Sequence, residues 1–77
     1  MSRKPTSPSD PAWIAYAERL RDRRVALGMT ILDLSCESEI TPAQISELER
    51  GVIMPRLRTL IAWRVALRLP PMPAPDW

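Results

Sequence analysis

Proline placement sets the strongest limit on how this chain folds. Seven of the nine prolines lie at or beyond the ends of residues 12–69, namely Pro5, Pro8, Pro11, Pro70, Pro71, Pro73 and Pro75. Because proline lacks a backbone N–H and fixes φ, it interrupts helices and strands, so regular structure is expected between the two clusters. We therefore predict a flexible N-terminal arm over residues 1–9, one folded domain over residues 10–69 and an extended proline-rich tail over residues 70–77.

Few sources of stability other than packing are open to a domain of this size. The chain has 77 residues, one cysteine and no histidine. A single cysteine excludes a disulfide within the chain, and without histidine it cannot supply a tetrahedral zinc site. The missing histidines and the presence of only two glycines also argue against catalytic triads and phosphate-binding loops. We expect helix packing and self-association, with no cofactor, no metal and no enzyme activity.

Apolar spacing between the proline clusters predicts helices, and no strand-like alternation competes with it. The first helix is expected to follow an Asp10 N-cap, with Pro11 in its first turn and Gly28 as its left-handed stop. The residues predicted on its inner face are Trp13, Ala17, Leu20, Arg24 and Leu27. A fourth helix is predicted from about Arg56 to Arg68. Its apolar face is predicted to carry Leu57, Leu60, Ile61, Trp63 and Leu67.

Two short helices are predicted between these, each begun by a threonine. Thr30 and Asp33 form a variant capping box for the second helix, which ends near residue 38. Thr41 and Gln44 form the box of the third helix, which ends at Gly51. The residues predicted to anchor this pair in the core are Leu34, Ile45 and Leu48. Because so short a link forces a steep crossing, the pair is predicted to be a helix-turn-helix, whose second helix can enter the major groove of DNA.

Short motifs at fixed spacing surround this pair. In order they are Gly28-Met29-Thr30, Leu34-Ser35, Ile40-Thr41, Ile45-Ser46, Leu48-Glu49-Arg50-Gly51 and Pro55-x-Leu57-x-Thr59-Leu60. This pattern, over about residues 20–69, resembles the Cro/CI-type (XRE-like) helix-turn-helix family. The resemblance implies an all-α, lambda-repressor-like bundle of four or five helices that binds double-stranded DNA.

Three features depart from the family pattern. Glu39 stands where the family usually has glycine, so a left-handed backbone there would cost about 1 kcal/mol. Ile31 replaces a frequent glutamine that contacts phosphate, which weakens the expectation of that contact. The proline-rich tail leaves no room for the usual fifth helix, which weakens the expectation of the family's usual dimer contacts.

The resemblance and the helix pattern together assign the candidate site. The expected base-contacting residues, on the outward face of the third helix, are Pro42, Ala43, Gln44, Ser46 and Glu47. The expected phosphate-contacting residues are Thr30, Thr41, Arg50, Arg56, Arg58, Arg3 and Lys4. For Gln44 the alternative is a capping role alone, and for Arg56 and Arg58 it is a solvated helix end. The resemblance further implies that Arg24 and Glu49 form a partly buried ion pair with a structural role.

We therefore expect a sequence-specific transcriptional regulator, in particular a homodimeric repressor acting on an inverted-repeat operator. Two alternatives stay open: the antitoxin of a toxin–antitoxin pair, and a helix-turn-helix protein-interaction module such as an anti-activator. Glu39, Glu47, the replacement of glutamine by Ile31 and the net charge of only +2 favour the interaction module. The arginines at positions 50, 56 and 58 favour DNA binding. Trp77 could anchor the tail on its own helices or on a second subunit, and the tail is also a possible contact for a protein partner. Without a secretion signal or a membrane-length apolar run, we expect a soluble, cytoplasmic protein with no membrane partner.

Overall fold

Four helices form the regular structure of residues 10–71, which are the residues that the computed structural model describes. They are α1 (Pro11–Ala26), α2 (Ile31–Ser38), α3 (Pro42–Glu49) and α4 (Leu57–Ala66). Within these residues there is no strand, so the all-α prediction is confirmed. No helix among them is both long and apolar enough to cross a bilayer. The predicted arm over residues 1–9 and the tail beyond residue 71 lie outside the described residues.

Side-chain caps fix where the first three helices begin. The Ala12 N–H donates to Asp10 Oδ1 at 2.8 Å, which confirms the predicted start of α1. At the start of α2, the Asp33 N–H donates to Thr30 Oγ1 and the Thr30 N–H donates to Asp33 Oδ2, at 3.0 and 2.9 Å. The capping box predicted for α2 is therefore confirmed.

The start of α3 differs from its prediction in one respect. The Gln44 N–H donates to Thr41 Oγ1 at 3.2 Å, so the threonine caps the helix as expected. The return bond of a capping box is not made, because the Gln44 side chain bonds to no residue within 10–71. The predicted box is thus only half formed, and the Gln44 amide remains available to a ligand.

Helix α4 is shorter than the predicted span of residues 56–68. Arg56 has an extended backbone with φ −68° and ψ 158°, so the helix begins one residue later. At the other end Leu67 leaves the helical region and Arg68 adopts a left-handed conformation with φ 63°. Arg68 Nη1 lies 2.7 Å from Glu37 Oε1, an ion pair that connects this irregular turn to α2.

Large apolar side chains from all four helices meet in one core. Trp13 of α1 and Trp63 of α4 pack edge to face with their ring centroids 6.3 Å apart. Trp13 Nε1 also donates to the Ile53 carbonyl at 3.0 Å, which fixes the segment between α3 and α4 against α1. The largest fully buried side chains are Trp13, Trp63, Leu34, Ile45, Leu48 and Leu67. Every core residue predicted on α2 and α3 is therefore confirmed.

Two predicted core positions are wrong, and several buried side chains escaped prediction, among them Tyr16 and Arg64. Leu27 is 38% exposed because α1 has already ended and the chain is turning toward Gly28. Leu57 is 59% exposed because it begins α4 on the side that faces away from the core. Tyr16 and Arg64 are buried instead. Their polar groups meet there, with Arg64 Nη1 donating to the Tyr16 hydroxyl.

Candidate nucleic-acid interface

The turn between α2 and α3 is held by hydrogen bonds and has one strained residue. Glu39 is left-handed, with φ 62° and ψ 22°, at the position where glycine would be unstrained. The next residue, Ile40, is buried and held from both sides. The Ser35 hydroxyl donates to its carbonyl at 2.6 Å, and its N–H donates to Ser38 Oγ at 3.2 Å. These contacts set the angle at which α3 leaves α2.

Helix α3 separates packing residues from exposed residues. Ile45 and Leu48 are fully buried and hold the helix on the core. On its other side the predicted base-contacting residues share a surface, on which Pro42, Ala43 and Glu47 are exposed and Gln44 and Ser46 are half-buried. Every residue assigned to this face therefore reaches the surface of the domain.

The end of α3 lies close against α1. Gly51 has φ +74°, and a Cβ on this residue would lie 3.1 Å from both Cα and Cγ1 of Ile14. A side chain at this position would be strained by the backbone and would also push α1 away. Gly51 therefore fixes both the direction of the chain after α3 and the distance of α3 from α1.

An ion pair joins α1 and α3 inside the domain. Arg24 Nε lies 2.6 Å from Glu49 Oε2, and Arg24 Nη2 lies 3.1 Å from Glu49 Oε1, a two-pronged contact. Arg24 Nη1 also donates to the Met29 carbonyl at 2.8 Å. The Arg24 and Glu49 side chains are only 11% and 5% exposed. These groups are already bonded to each other and lie away from solvent, so their role is structural.

Three arginines surround the exposed end of α3 and the start of α4. Arg50, Arg56 and Arg58 are all exposed, and within residues 10–71 none has a carboxylate at ion-pair distance. The one hydrogen bond from an Arg50 side-chain nitrogen goes to the Ser46 carbonyl, at 3.3 Å. These guanidinium groups are therefore free to bind an anion such as a DNA phosphate.

The first turn of α4 adds backbone donors to this surface. Its N-cap residue, Arg56, provides no side-chain hydrogen bond to the helix. The backbone N–H groups at a helix start have no partner within the helix, and they carry the positive end of its dipole. An uncapped start beside two arginines is a favourable site for phosphate. The sequence predicts a phosphate site at this helix start, and the structure moves its first helical residue from Arg56 to Leu57.

The Asp33 carboxylate opposes anion binding at the start of α2. Thr30 and Asp33 cap each other there, and the bonds from the Thr30 N–H and hydroxyl lower the pKa of Asp33 below its usual range. A phosphate that approached Thr30 would therefore meet an ionised carboxylate.

The remaining predicted phosphate contacts lie elsewhere in the chain. Thr41 is exposed at the start of α3, whereas Arg3 and Lys4 lie outside the described residues.

The fold and this surface together define a helix-turn-helix domain, in which two short helices are joined by three residues and the second presents an open face. A family model described as Helix-turn-helix matches residues 20–72, more than half of the chain. The chain belongs to this Cro/CI-type helix-turn-helix family, and its function is of the DNA-binding, transcription-regulator type. No curated protein and no solved structure gives a significant match.

Proposed function

We propose that this chain is a sequence-specific regulator of transcription that acts as a dimeric repressor on an inverted-repeat operator. One observation carries the proposal: the exposed face of α3 adjoins three arginines that have no carboxylate partner within residues 10–71. An exposed helix face flanked by free cations suits insertion into a groove between two phosphate ridges.

In this proposal the outward residues of α3 recognise bases. The Gln44 amide, which makes no bond within the described residues, can bond to adenine through both its oxygen and its nitrogen. Pro42 and Ala43 offer carbon atoms to a thymine methyl group. Glu47 can accept a hydrogen bond from the cytosine amino group, while its negative charge repels nearby phosphates. The combination gives selectivity rather than affinity, because α3 itself carries no arginine or lysine.

The phosphate contacts supply the affinity. Arg50 would bind the backbone on one side of the groove, and the start of α4 with Arg56 and Arg58 would bind a neighbouring phosphate. These contacts release counterions, so binding is expected to weaken steeply as salt rises. Contacts from Thr30, Thr41, Arg3 and Lys4 stay predictions.

A second copy of the chain completes the proposed complex. An eight-residue helix contacts only a few base pairs, which is too little for selective binding in a genome. Two copies related by a two-fold axis would place two α3 helices in successive major grooves, about 34 Å apart. Repression then follows from occupancy of a promoter, and it requires no ligand.

The proposal is tested by selecting bound sequences from a pool of randomised duplexes and measuring affinity on the winning sequence by fluorescence anisotropy. We expect an inverted repeat with half-sites one helical turn apart. Gln44→Ala should lose about 1–3 kcal/mol of discrimination at a single base position of each half-site. Arg50→Ala should weaken binding to all sequences alike.

Arg21→Ala is the matched control, because Arg21 is an exposed arginine on α1 whose guanidinium lies 3.6 Å from Asp22. It removes the same charge as Arg50→Ala and should leave the affinity nearly unchanged. Enrichment of no sequence, or full discrimination by the Gln44→Ala variant, would contradict the proposal. Enrichment of a single half-site bound by one copy would retain the recognition helix and reject the dimer.

A further inference from the structure

A buried arginine lies near the end of α4, at the opposite end from the proposed phosphate site. Arg64 is only 7% exposed. Its Nε donates to the Pro70 carbonyl at 2.8 Å, and its Nη1 donates to the Tyr16 hydroxyl. No carboxylate within residues 10–71 lies at ion-pair distance from it. Among the described residues, the charge is thus held by neutral groups alone, which is unfavourable for a buried cation.

One edge of the Arg64 guanidinium has no hydrogen-bond partner within the described residues. Arg64 Nη2 is not among the fully enclosed atoms of the described residues and bonds to none of them. Its N–H groups are therefore unpaired within residues 10–71, and they are not fully enclosed although the residue as a whole is only 7% exposed. The fork of donors on a planar guanidinium fits the two oxygens of a carboxylate.

Two more arginines lie on the same side of the molecule. The Arg19 guanidinium lies over the Tyr16 ring, 5.6 Å from its centroid, and Arg64 lies 6.0 Å from the same centroid. Arg23, one turn further along α1, donates from Nε to the Leu67 carbonyl at 3.0 Å. Neither has a carboxylate partner in the described part of the chain. We call Arg19, Arg23 and Arg64, with Tyr16 between them, the α1–α4 basic surface.

We infer that the α1–α4 basic surface binds an acidic, extended segment of a protein partner. Arg19 and Arg23 are four residues apart on a helix, which places them about 6 Å apart along its axis. Carboxylates two residues apart on an extended chain are separated by about 7 Å, so alternate acidic residues match this spacing. A third carboxylate would reach the open edge of Arg64. The match involves several charges in a row, which favours a segment over a single small anion.

The position of this surface separates it from the proposed DNA contacts. Arg56 and Arg58 lie at the start of α4, and Arg64 lies near its other end. The ten residues of α4 span about 15 Å. Arg58 and Arg64 are about 9 Å apart along this axis. In this inference, a duplex held against the start of α4 leaves the α1–α4 basic surface open, so that a partner binds a protein that is already on DNA.

Two double variants with the same change in net charge test the inference. Arg19→Gln/Arg23→Gln alters the α1–α4 basic surface, and Arg56→Gln/Arg58→Gln alters the proposed phosphate site. The probe is a fluorescein-labelled peptide of alternating glutamate and serine, compared with a peptide in which glutamine replaces every glutamate. Circular dichroism melts establish that both variants fold. Arg64 itself is left in place, because its burial makes any substitution there a test of stability.

We expect the first double variant to bind the glutamate peptide about tenfold more weakly and to bind DNA normally. The second should show the opposite pattern, and the glutamine peptide should not bind either protein. Equal loss of peptide binding in both variants would show a general charge effect and overturn the inference. Loss of DNA binding in the first variant would assign the surface to nucleic acid instead.

A truncated chain extends the experiment, because the segment after Pro71 carries one acidic residue, Asp76, that could occupy the surface in place of a partner. A chain ending at Pro71 is expected to bind the glutamate peptide as the parent does. Binding that appears only after this truncation would make the chain's own tail the occupant and would reject a partner. Because DNA binding is measured separately, failure here leaves the proposed regulator function intact, and failure of DNA binding leaves this inference intact.

Discussion

At the junction of α1 and α3, one guanidinium group is enclosed by protein; along the segment from α3 to α4, three guanidinium groups extend into solvent. Arg24 uses its donors on Glu49 and on the Met29 carbonyl. Arg50 and Arg58 have no carboxylate partner within residues 10–71. The same side chain thus stabilises the fold in one region and stays available to a ligand in the other.

The difference lies in burial and in the neighbouring residues. A buried cation must have a partner, since its desolvation is costly, so Arg24 is inseparable from Glu49. An exposed cation keeps its hydration and needs no partner within the protein. Substitutions in the two regions should therefore separate stability from DNA affinity, and the predictions below test that separation.

Removal of the enclosed arginine should have the largest effect. Arg24→Ala leaves Glu49 buried without a counter-charge and is expected to lower the free energy of unfolding by about 3–5 kcal/mol. Urea denaturation followed by circular dichroism measures this loss. DNA affinity should fall only to the extent that the protein unfolds.

A double variant distinguishes the buried charge from lost packing. Arg24→Met/Glu49→Leu removes both charges and keeps apolar volume, so it should recover most of the stability lost in Arg24→Ala. A double variant no more stable than Arg24→Ala would show that the ion pair stabilises the fold beyond satisfying Glu49.

Removal of the exposed arginines should affect binding without affecting stability. Arg56→Gln/Arg58→Gln is expected to reduce DNA affinity about tenfold per arginine and to reduce the slope of log affinity against log salt by about two. Its free energy of unfolding should stay within about 0.5 kcal/mol of the parent. A large loss of stability would place these arginines with Arg24 and remove the contrast between the two regions.

A smaller effect is expected at the turn before α3, where Glu39 is both strained and negatively charged. Glu39→Gly relieves the left-handed backbone and should raise the free energy of unfolding by about 0.5–1 kcal/mol. Glu39→Gln keeps the strain and removes only the charge, so its stability should match the parent. Both variants should bind DNA slightly more tightly if Glu39 lies near phosphates. If only the Glu39→Gln variant gained stability, the charge of Glu39, and not its left-handed backbone, would be what destabilises the fold.

The smallest effect concerns the pH dependence at the start of α2. The pKa of Asp33 is lower in the folded protein than its usual value of about 3.9, because Thr30 donates hydrogen bonds to the ionised carboxylate. Its contribution to stability is therefore present above that usual pKa and is lost as the pH falls through the lower, folded value. Asp33→Asn should abolish this part of the acid sensitivity. Parallel stability curves for parent and variant between neutral pH and pH 2 would contradict it.

The fold was predictable where local chemistry decides it. Asp10, Thr30 and Thr41 cap helices wherever the next residues can be helical, so their positions set three helix starts correctly. Leu34 and Ile45 follow at helical spacing and are buried as predicted. The Arg24–Glu49 contact was anticipated through the family resemblance, since nothing local to either residue reveals the other.

The features that escaped prediction depend on distant parts of the chain. An arginine near the end of a helix is ordinarily expected to be exposed. Arg64 is buried only because α1 packs against the end of α4. Leu57 has the apolar character of a core residue, yet the late start of α4 turns it outward. The start of α4 was predicted one residue too early, because neither Pro55 nor Arg56 is a capping residue that would mark it.

Gly51 has a consequence for how this protein could acquire new targets. The contact between Gly51 and Ile14 sets the spacing of α3 from α1. Ile45 and Leu48 pack α3 on the core, and Glu49 pairs it with Arg24 of α1. None of these residues belongs to the outward face. A different set of side chains at positions 42, 43, 44 and 47 could therefore be transplanted without disturbing the scaffold. Such an exchange would give the domain a new operator while its architecture stays the same.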